Sequence, residues 1–216
     1  MSSKNLYIPI FILFLILDTV AIYFDINVLR YFAKPGLMSV LILTLIQWAP
    51  YSSLRLHRYH MLGLIFSLSG DVLLQVNLFL PGLFSFLLAH VAYILLMISF
   101  RPIKSMKLFV MIFFLLSVAG VMLGKWLVPD NSPMLIPVIV YASTILTMGA
   151  IALLTAYKHS LILLGAGLFI ISDFVLALGL FKSGLPHNGI IVMWTYALAQ
   201  LSLFNGFVRY QKNELR

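Results

Sequence analysis

Three carboxylates interrupt the apolar runs of this chain: Asp18, Asp71 and Asp173. A charged group near the centre of a bilayer costs at least about 2.5 to 3.5 kcal/mol, so such residues face a protein interior or a wet cavity and mark function. Gly63, Ser67, Gly70 and Leu74 recur at helical spacing beside Asp71, and Gly165, Ser172 and Ala177 surround Asp173. Small residues of this kind let helices approach closely, and the hydroxyls can hydrogen-bond a buried carboxyl. Asp71 lies eleven residues past His60, about 17 Å along a helix, and Asp173 thirteen past Ser160, about 20 Å. His90, nine residues past Pro81 on a helix running back, falls about 13 Å below the opposite end, at a similar level. Two carboxyls that meet in an apolar site share one proton, which places an acid and a base in one pocket.

Each of these residues has a plainer assignment. Asp71 and Asp173 can be protonated carboxyls that bond helix to helix, and His90 a packing histidine bonded to a neighbouring helix. Asp18 reads as structural or rim-facing. Tyr93, Tyr196 and Gln200 are candidates for lining a polar cavity, Tyr196 and Gln200 being one turn apart, or serve as helix glue. Two Asp and one His without a second intramembrane histidine make a poor zinc set, so neither metal nor cofactor is expected.

The elements that position these groups follow from composition. Of 216 residues 62% are hydrophobic and 9% charged, against roughly 25% charged in a soluble domain. The class is an all-α integral membrane protein, one transmembrane domain over 1–216. Apolar runs predict eight transmembrane helices near 6–24, 36–51, 60–77, 83–100, 107–125, 134–156, 160–180 and 188–208. Between them stand Lys34-Pro35, the basic stretch Arg55 to His60, Pro81-Gly82, Arg101-Pro102, Pro129 to Pro133, Lys158-His159 and Gly184-Leu185-Pro186. The opening run, with Lys4 before it, resembles a signal peptide but has no small-residue cleavage site and reads as the first span.

The net charge of +8 is spread as single residues and short groups between the runs, the pattern of topology signals rather than of nucleic-acid binding. Ten basic residues, Lys4, Arg55, Arg58, Arg101, Lys104, Lys107, Lys158, Arg209, Lys212 and Arg216, fall on one side. Arg30, Lys34, Lys125 and Lys182 fall on the other, so both termini are expected in the cytoplasm. Cysteine is absent, which excludes disulfides and thiolate chemistry.

A faint repeat runs through the chain. An offset of 102 superposes Asp71 on Asp173, Gly63 on Gly165, Leu74 on Leu176, Phe79 on Phe181 and Gly82 on Gly184. It predicts two parallel four-helix halves, about 1–104 and 105–216, related by a pseudo-twofold along the membrane normal.

In this order, Lys34-Pro35, Gly63-Leu-Ile-Phe-Ser-Leu-Ser-Gly-Asp71, Ala89-His90 with Tyr93, Gly167-Leu-Phe-Ile-Ile-Ser-Asp173 with Leu176-Ala-Leu178, and Tyr196 with Ala199-Gln200 resemble the YhhN-like lysoplasmalogenases across nearly the whole chain. The resemblance implies a membrane hydrolase that cleaves the vinyl ether of lysoplasmalogens to a fatty aldehyde and a glycerophospho-ethanolamine or -choline, with Asp71 and Asp173 as the catalytic pair. Phe174 stands where the family often carries serine and Ala197 where a second tyrosine often follows Tyr196, which bears on substrate preference.

Vinyl ether hydrolysis begins with protonation of the outer alkene carbon, and water captures the resulting oxocarbenium ion, so it asks for an acid and a base as glycoside hydrolysis does. One aspartate would donate the proton and the other stabilise the cation and activate water; the sequence leaves the order open. His90, Tyr93, Tyr196, Gln200 and Ser172 would position water or glycerol oxygens, and Lys34 or Lys182 would hold the phosphate. The partners implied are a lysophospholipid, water and the lipid bilayer, in the cell membrane. Without the resemblance, midplane carboxylates in an internal repeat would suggest a proton- or ion-coupled transporter. A non-catalytic lipid-binding protein is the third reading.

Overall fold

The computed structural model describes residues 6–47, 54–100, 105–155 and 159–214, and no strand occurs among them. Lys4, Arg101, Lys104, Lys158 and Arg216 of the expected charge pattern lie outside the described residues. Eight helices follow one another: α1 (Tyr7–Tyr23), α2 (Asn27–Gln47), α3 (Leu54–Gln75), α4 (Phe79–Phe100), α5 (Met106–Leu127), α6 (Leu135–Thr155), α7 (Ser160–Phe181) and α8 (Asn188–Glu214). Helices are what such runs must form, because lipid offers a backbone no hydrogen-bond partner and only a helix satisfies its own groups.

Six of them, α2 and α4 to α8, are long and apolar enough to cross a membrane. Helix α1 is apolar but has 17 residues, and α3 carries Arg55, His57, Arg58 and His60 in its first two turns. The outward surface is apolar, with Phe32, Phe114, Met122 and Leu153 among the most exposed side chains. Long apolar helices with an oily exterior make this a multi-pass membrane protein.

Helix boundaries correct the expected spans in three places. Helix α2 begins at Asn27 rather than 36 and carries Pro35 in its interior. A proline there removes one backbone bond and need not end a helix in lipid, where no competing water draws the backbone out. Helix α3 begins at Leu54, so the basic stretch is its first two turns rather than a connection. Helix α4 begins at Phe79 and places Pro81 in its first turn, where an amide has no helical partner to lose.

Two connections are built alike. Asp25 after α1 and Asn77 after α3 take left-handed backbone, φ 54° and 61°, which Asp and Asn tolerate. The next amides reach back to close the helix ends, Ile26 to the Ala21 carbonyl at 2.8 Å and Leu78 to that of Leu73 at 2.9 Å. These turns reverse the chain within three residues and make α1–α2 and α3–α4 tight hairpins.

Packing closes a ring: α1 on α2, α2 on α3, α3 on α4, α4 on α6, α6 on α7, α7 on α8, and α8 back on α1. Helix α5 lies outside it, against α6 and the edge of α7. The α7–α8 contact depends on Gly165, where a Cβ would stand 2.9 Å from the Ala199 carbonyl oxygen and the Leu203 amide nitrogen. The ring interior is filled by fully buried side chains such as Leu37, Met38, Leu41, Leu96, Phe169 and Phe207, except at one end.

Candidate active site

At the end where α3 and α7 finish and α2, α4 and α8 begin, the ring encloses a cavity of about 140 Å³ lined from six helices. Both aspartates reach it, Asp71 from α3 and Asp173 from α7. Most of the remaining wall is apolar, with Leu83, Phe86, Val138 and Met193 among its residues.

Asp71 is buried and held from two sides. The Lys34 ammonium of α2 stands 3.4 Å from Oδ1, and the Tyr196 hydroxyl of α8 donates to Oδ2 at 2.7 Å. Asp173 is bonded from one side and neighboured from another, by different chemistry. The Tyr141 hydroxyl of α6 donates to Oδ2, and the imidazole Nε2 of His90 on α4 lies 3.7 Å from the same oxygen. Thus Asp71 faces an ammonium and a phenol, whereas Asp173 faces a phenol and an imidazole.

The tautomer of His90 follows from its surroundings. Nδ1 stands 2.5 Å from the Phe86 carbonyl, which can only accept, so Nδ1 carries the proton and donates it there. In the neutral ring the unprotonated nitrogen is then Nε2, which is turned toward Asp173 and has no hydrogen-bond partner among the described residues. The ring itself is fully buried between Tyr141 and Phe169, at centroid distances of 5.4 and 4.7 Å. An acceptor of this kind is complemented by a carboxylic acid rather than by a carboxylate.

Other expected site residues lie at varying distances from the cavity. Ser172 lines it and donates to the Val192 carbonyl at 3.0 Å. Tyr93 and Gln200 do not line it; Tyr93 donates to Gln200 Oε1 at 2.7 Å and Gln200 Nε2 to Ser67 Oγ at 2.9 Å, a closed polar layer joining α3, α4 and α8. Lys182 is exposed and stands over the Trp126 ring, 5.3 Å from its centroid, away from the carboxylates. Asp18 is fully buried and faces Arg30 Nε at 3.8 Å.

Two lining residues escaped the sequence reading. Tyr141 was one more aromatic in an apolar run, although its seat well inside α6 is unusual for an interfacial tyrosine. Arg30 was counted only as a topology charge, because taking Pro35 as a boundary hid the fact that Arg30 and Lys34 share one face of α2 at a spacing of four.

Two further cavities adjoin the first. One, of about 610 Å³, shares Arg30, Lys34, Leu74 and Phe79 with it and adds Asn27, Tyr31, Gln75 and Asn77. The other, of about 110 Å³, shares Tyr141 and Asp173 with it and is otherwise apolar, with Leu123 and Leu127 of α5 and Ile170 and Phe174 of α7 in its wall. Phe174, at the position where the family often has serine, stacks on Trp126 with rings 6.4 Å apart and 14° from parallel. Ala197 is fully buried.

A family model described as the YhhN family matches residues 29–207. Two proteins named lysoplasmalogenase, from Mycobacterium bovis and Mycobacterium tuberculosis, are each 29% identical to the chain over 160 residues. The match covers 71% of this chain and 61% of each relative, so the chain spans less than two thirds of the length of these relatives. No solved structure matches. With a family match that runs over all six helices lining the two carboxylates, the chain belongs to the YhhN family.

Proposed function

We propose that the protein is a membrane hydrolase that cleaves the vinyl ether of a lysoplasmalogen, releasing a fatty aldehyde and a glycerophospho-ethanolamine or -choline. The observation that carries this reading is the seat of the two carboxyls, in a cavity that shares wall residues on one side with a polar, cationic space and on the other with an apolar one. That is the shape of an amphiphile, with the reacting bond between headgroup and chain. The relatives named lysoplasmalogenase point the same way.

The unlike partners of the two aspartates divide the work. Asp71, paired with Lys34, is the carboxylate; Asp173, with the bare Nε2 of His90 beside it, holds the proton. Asp173 protonates the outer alkene carbon, leaving an oxocarbenium ion with the charge shared between the ether oxygen and the inner carbon. Asp71 stabilises that charge and takes a proton from the water that adds to the inner carbon, which gives a hemiacetal. Collapse of the hemiacetal breaks the carbon–oxygen bond, moves the hydroxyl proton to the leaving oxygen, and yields aldehyde and alcohol. One water is consumed, and the proton taken by Asp71 returns to Asp173 through the cavity.

We read the chain as crossing the bilayer eight times in the cell membrane, with both termini cytoplasmic, in one domain of two four-helix halves. Supporting the halves, the partners of Asp71 come from α2 and α8 and those of Asp173 from α6 and α4, the helices that exchange when one half is laid on the other. Phe79 and Phe181, superposed by the same offset, touch edge to face with centroids 6.2 Å apart, as residues near a twofold must.

The test is incubation of the detergent-purified protein with lysoplasmenyl-ethanolamine and with its saturated alkyl and acyl analogues. Run in deuterium oxide with immediate borohydride trapping, the vinyl ether is expected to give a fatty alcohol carrying one deuterium on the carbon next to the hydroxyl carbon, and the analogues nothing. Absence of aldehyde, or proton-coupled solute uptake by proteoliposomes in its place, overturns the reading.

A further inference from the structure

The larger cavity holds two cationic side chains, Arg30 and Lys34, and no carboxylate lines it. Its other polar residues are Asn27, Tyr31, Gln75 and Asn77. One of its nitrogens, Gln75 Nε2, is sequestered from solvent yet has no hydrogen-bond partner among the described residues. A buried donor without an acceptor is uncommon, and one beside two cations calls for an anion with several acceptor oxygens.

Asp18 explains how the arginine is held. Its carboxylate is fully buried on α1, neither oxygen has a hydrogen bond, and Oδ1 faces Arg30 Nε at 3.8 Å. It lines neither cavity, whereas Arg30 lines both. Asp18 therefore stands behind the guanidinium and leaves the rest of that group to the cavities. Lys34 already neutralises Asp71 at 3.4 Å, so Arg30 is the cation available to a ligand.

We propose that this outer cavity is the phosphodiester subsite, in which Arg30 and the Gln75 amide donate to the phosphate oxygens while Asp18, a positioning residue, holds Arg30. The proposal rests on the lysoplasmalogen reading for the identity of the whole ligand. The recognised chemistry, a phosphate ester anion, belongs equally to a lipid headgroup and to free phosphate.

The experiment compares two vinyl ethers, lysoplasmenyl-ethanolamine and the phosphate-free 1-alkenylglycerol, on wild type, Arg30→Ala and Gln75→Glu. Loss of a charge-assisted bond is expected to lower kcat/KM for the phospholipid about 10- to 100-fold, chiefly through KM, and to leave the alkenylglycerol within about 3-fold. Gln75→Glu, nearly isosteric, sets a negative charge against the phosphate and should act in the same direction, so the proposal stays testable should Arg30→Ala strand the buried Asp18 and misfold. Asp18→Asn should raise KM for the phospholipid alone.

An equal loss on both substrates in the two cavity variants overturns the proposal. Competition by inorganic phosphate as strong as that by glycerophosphoethanolamine would assign the subsite to free phosphate instead of the lipid headgroup. Binding supplies a readout independent of hydrolysis: lysophosphatidylethanolamine should raise the melting temperature of wild type but not of Gln75→Glu, and monoacylglycerol should treat the two alike. Should wild type cleave neither vinyl ether, the functional reading falls while this binding comparison still decides the subsite.

Discussion

Lys34 and Asp71 face each other at 3.4 Å with both side chains almost sealed from the outside, 10% and 1% exposed. Removing one member of a buried ion pair costs about 3 to 5 kcal/mol because the other is left alone, while replacing both is close to neutral. Asp71→Asn is therefore expected to melt well below wild type, and Lys34→Met/Asp71→Asn to regain most of the loss without regaining hydrolysis. Differential scanning fluorimetry beside an aldehyde assay reads both quantities. A double variant no more stable than Asp71→Asn would show the pair to be unimportant for the fold.

Asp173 has no Lys or Arg partner among the described residues, so Asp173→Asn should cost far less stability while lowering aldehyde release about 10²- to 10⁴-fold, the usual worth of a general acid. Turnover close to wild type in purified Asp173→Asn would remove this residue from the mechanism.

Among the described residues, Tyr141→Phe deletes the one hydroxyl that bonds Asp173, and Tyr196→Phe the one that bonds Asp71. Each is expected to lower kcat about 10-fold, in line with the loss of one bond to a charged or reacting carboxyl, with KM little changed. If only KM moved, these tyrosines would be holding substrate rather than carboxyls.

Two glycines on α7 make an internal control. A Cβ at Gly165 meets the α8 backbone at 2.9 Å, whereas one at Gly167 meets nothing within 4 Å. Gly165→Ala should destabilise by about 1 to 3 kcal/mol through forced separation of the helices, and Gly167→Ala should be neutral or stabilising through better helix propensity. Equal melting temperatures for the two variants would contradict the α7–α8 packing.

His60 is fully buried, its ring 5.3 Å from Phe204 and 5.2 Å from Phe207, with neither nitrogen hydrogen-bonded. A buried polar group in that state is a cost, so His60→Leu is expected to hold or raise the melting temperature and leave turnover unchanged. A fall of more than about 5 °C would indicate a polar role for the ring.

The helices from α5 onward were legible because each is one long apolar run between polar turns, and period and length sufficed. The start of α2 was not, since Pro35 carries the same local signal whether it ends a helix or sits within one; what decides is the surrounding lipid. Asp71 and Asp173 stood out because a carboxylate in an oily run is rare whatever the fold. Tyr141 and Arg30 did not, as their meaning comes from the helices opposite them, α7 and α1, and the closing of the ring is a tertiary event. Tyr93 and Gln200 were drawn toward the cavity by their polarity, yet each satisfies the other one layer away.

The cationic space and the oily one share no wall residue, while each shares residues with the chamber that holds the aspartates. In the proposed reaction a bond cut in that chamber would leave the water-loving fragment beside the cationic space and the greasy fragment beside the apolar one. Neither product of that reaction would then need to pass the other on its way out, and dilution of each into its own medium would oppose the back reaction.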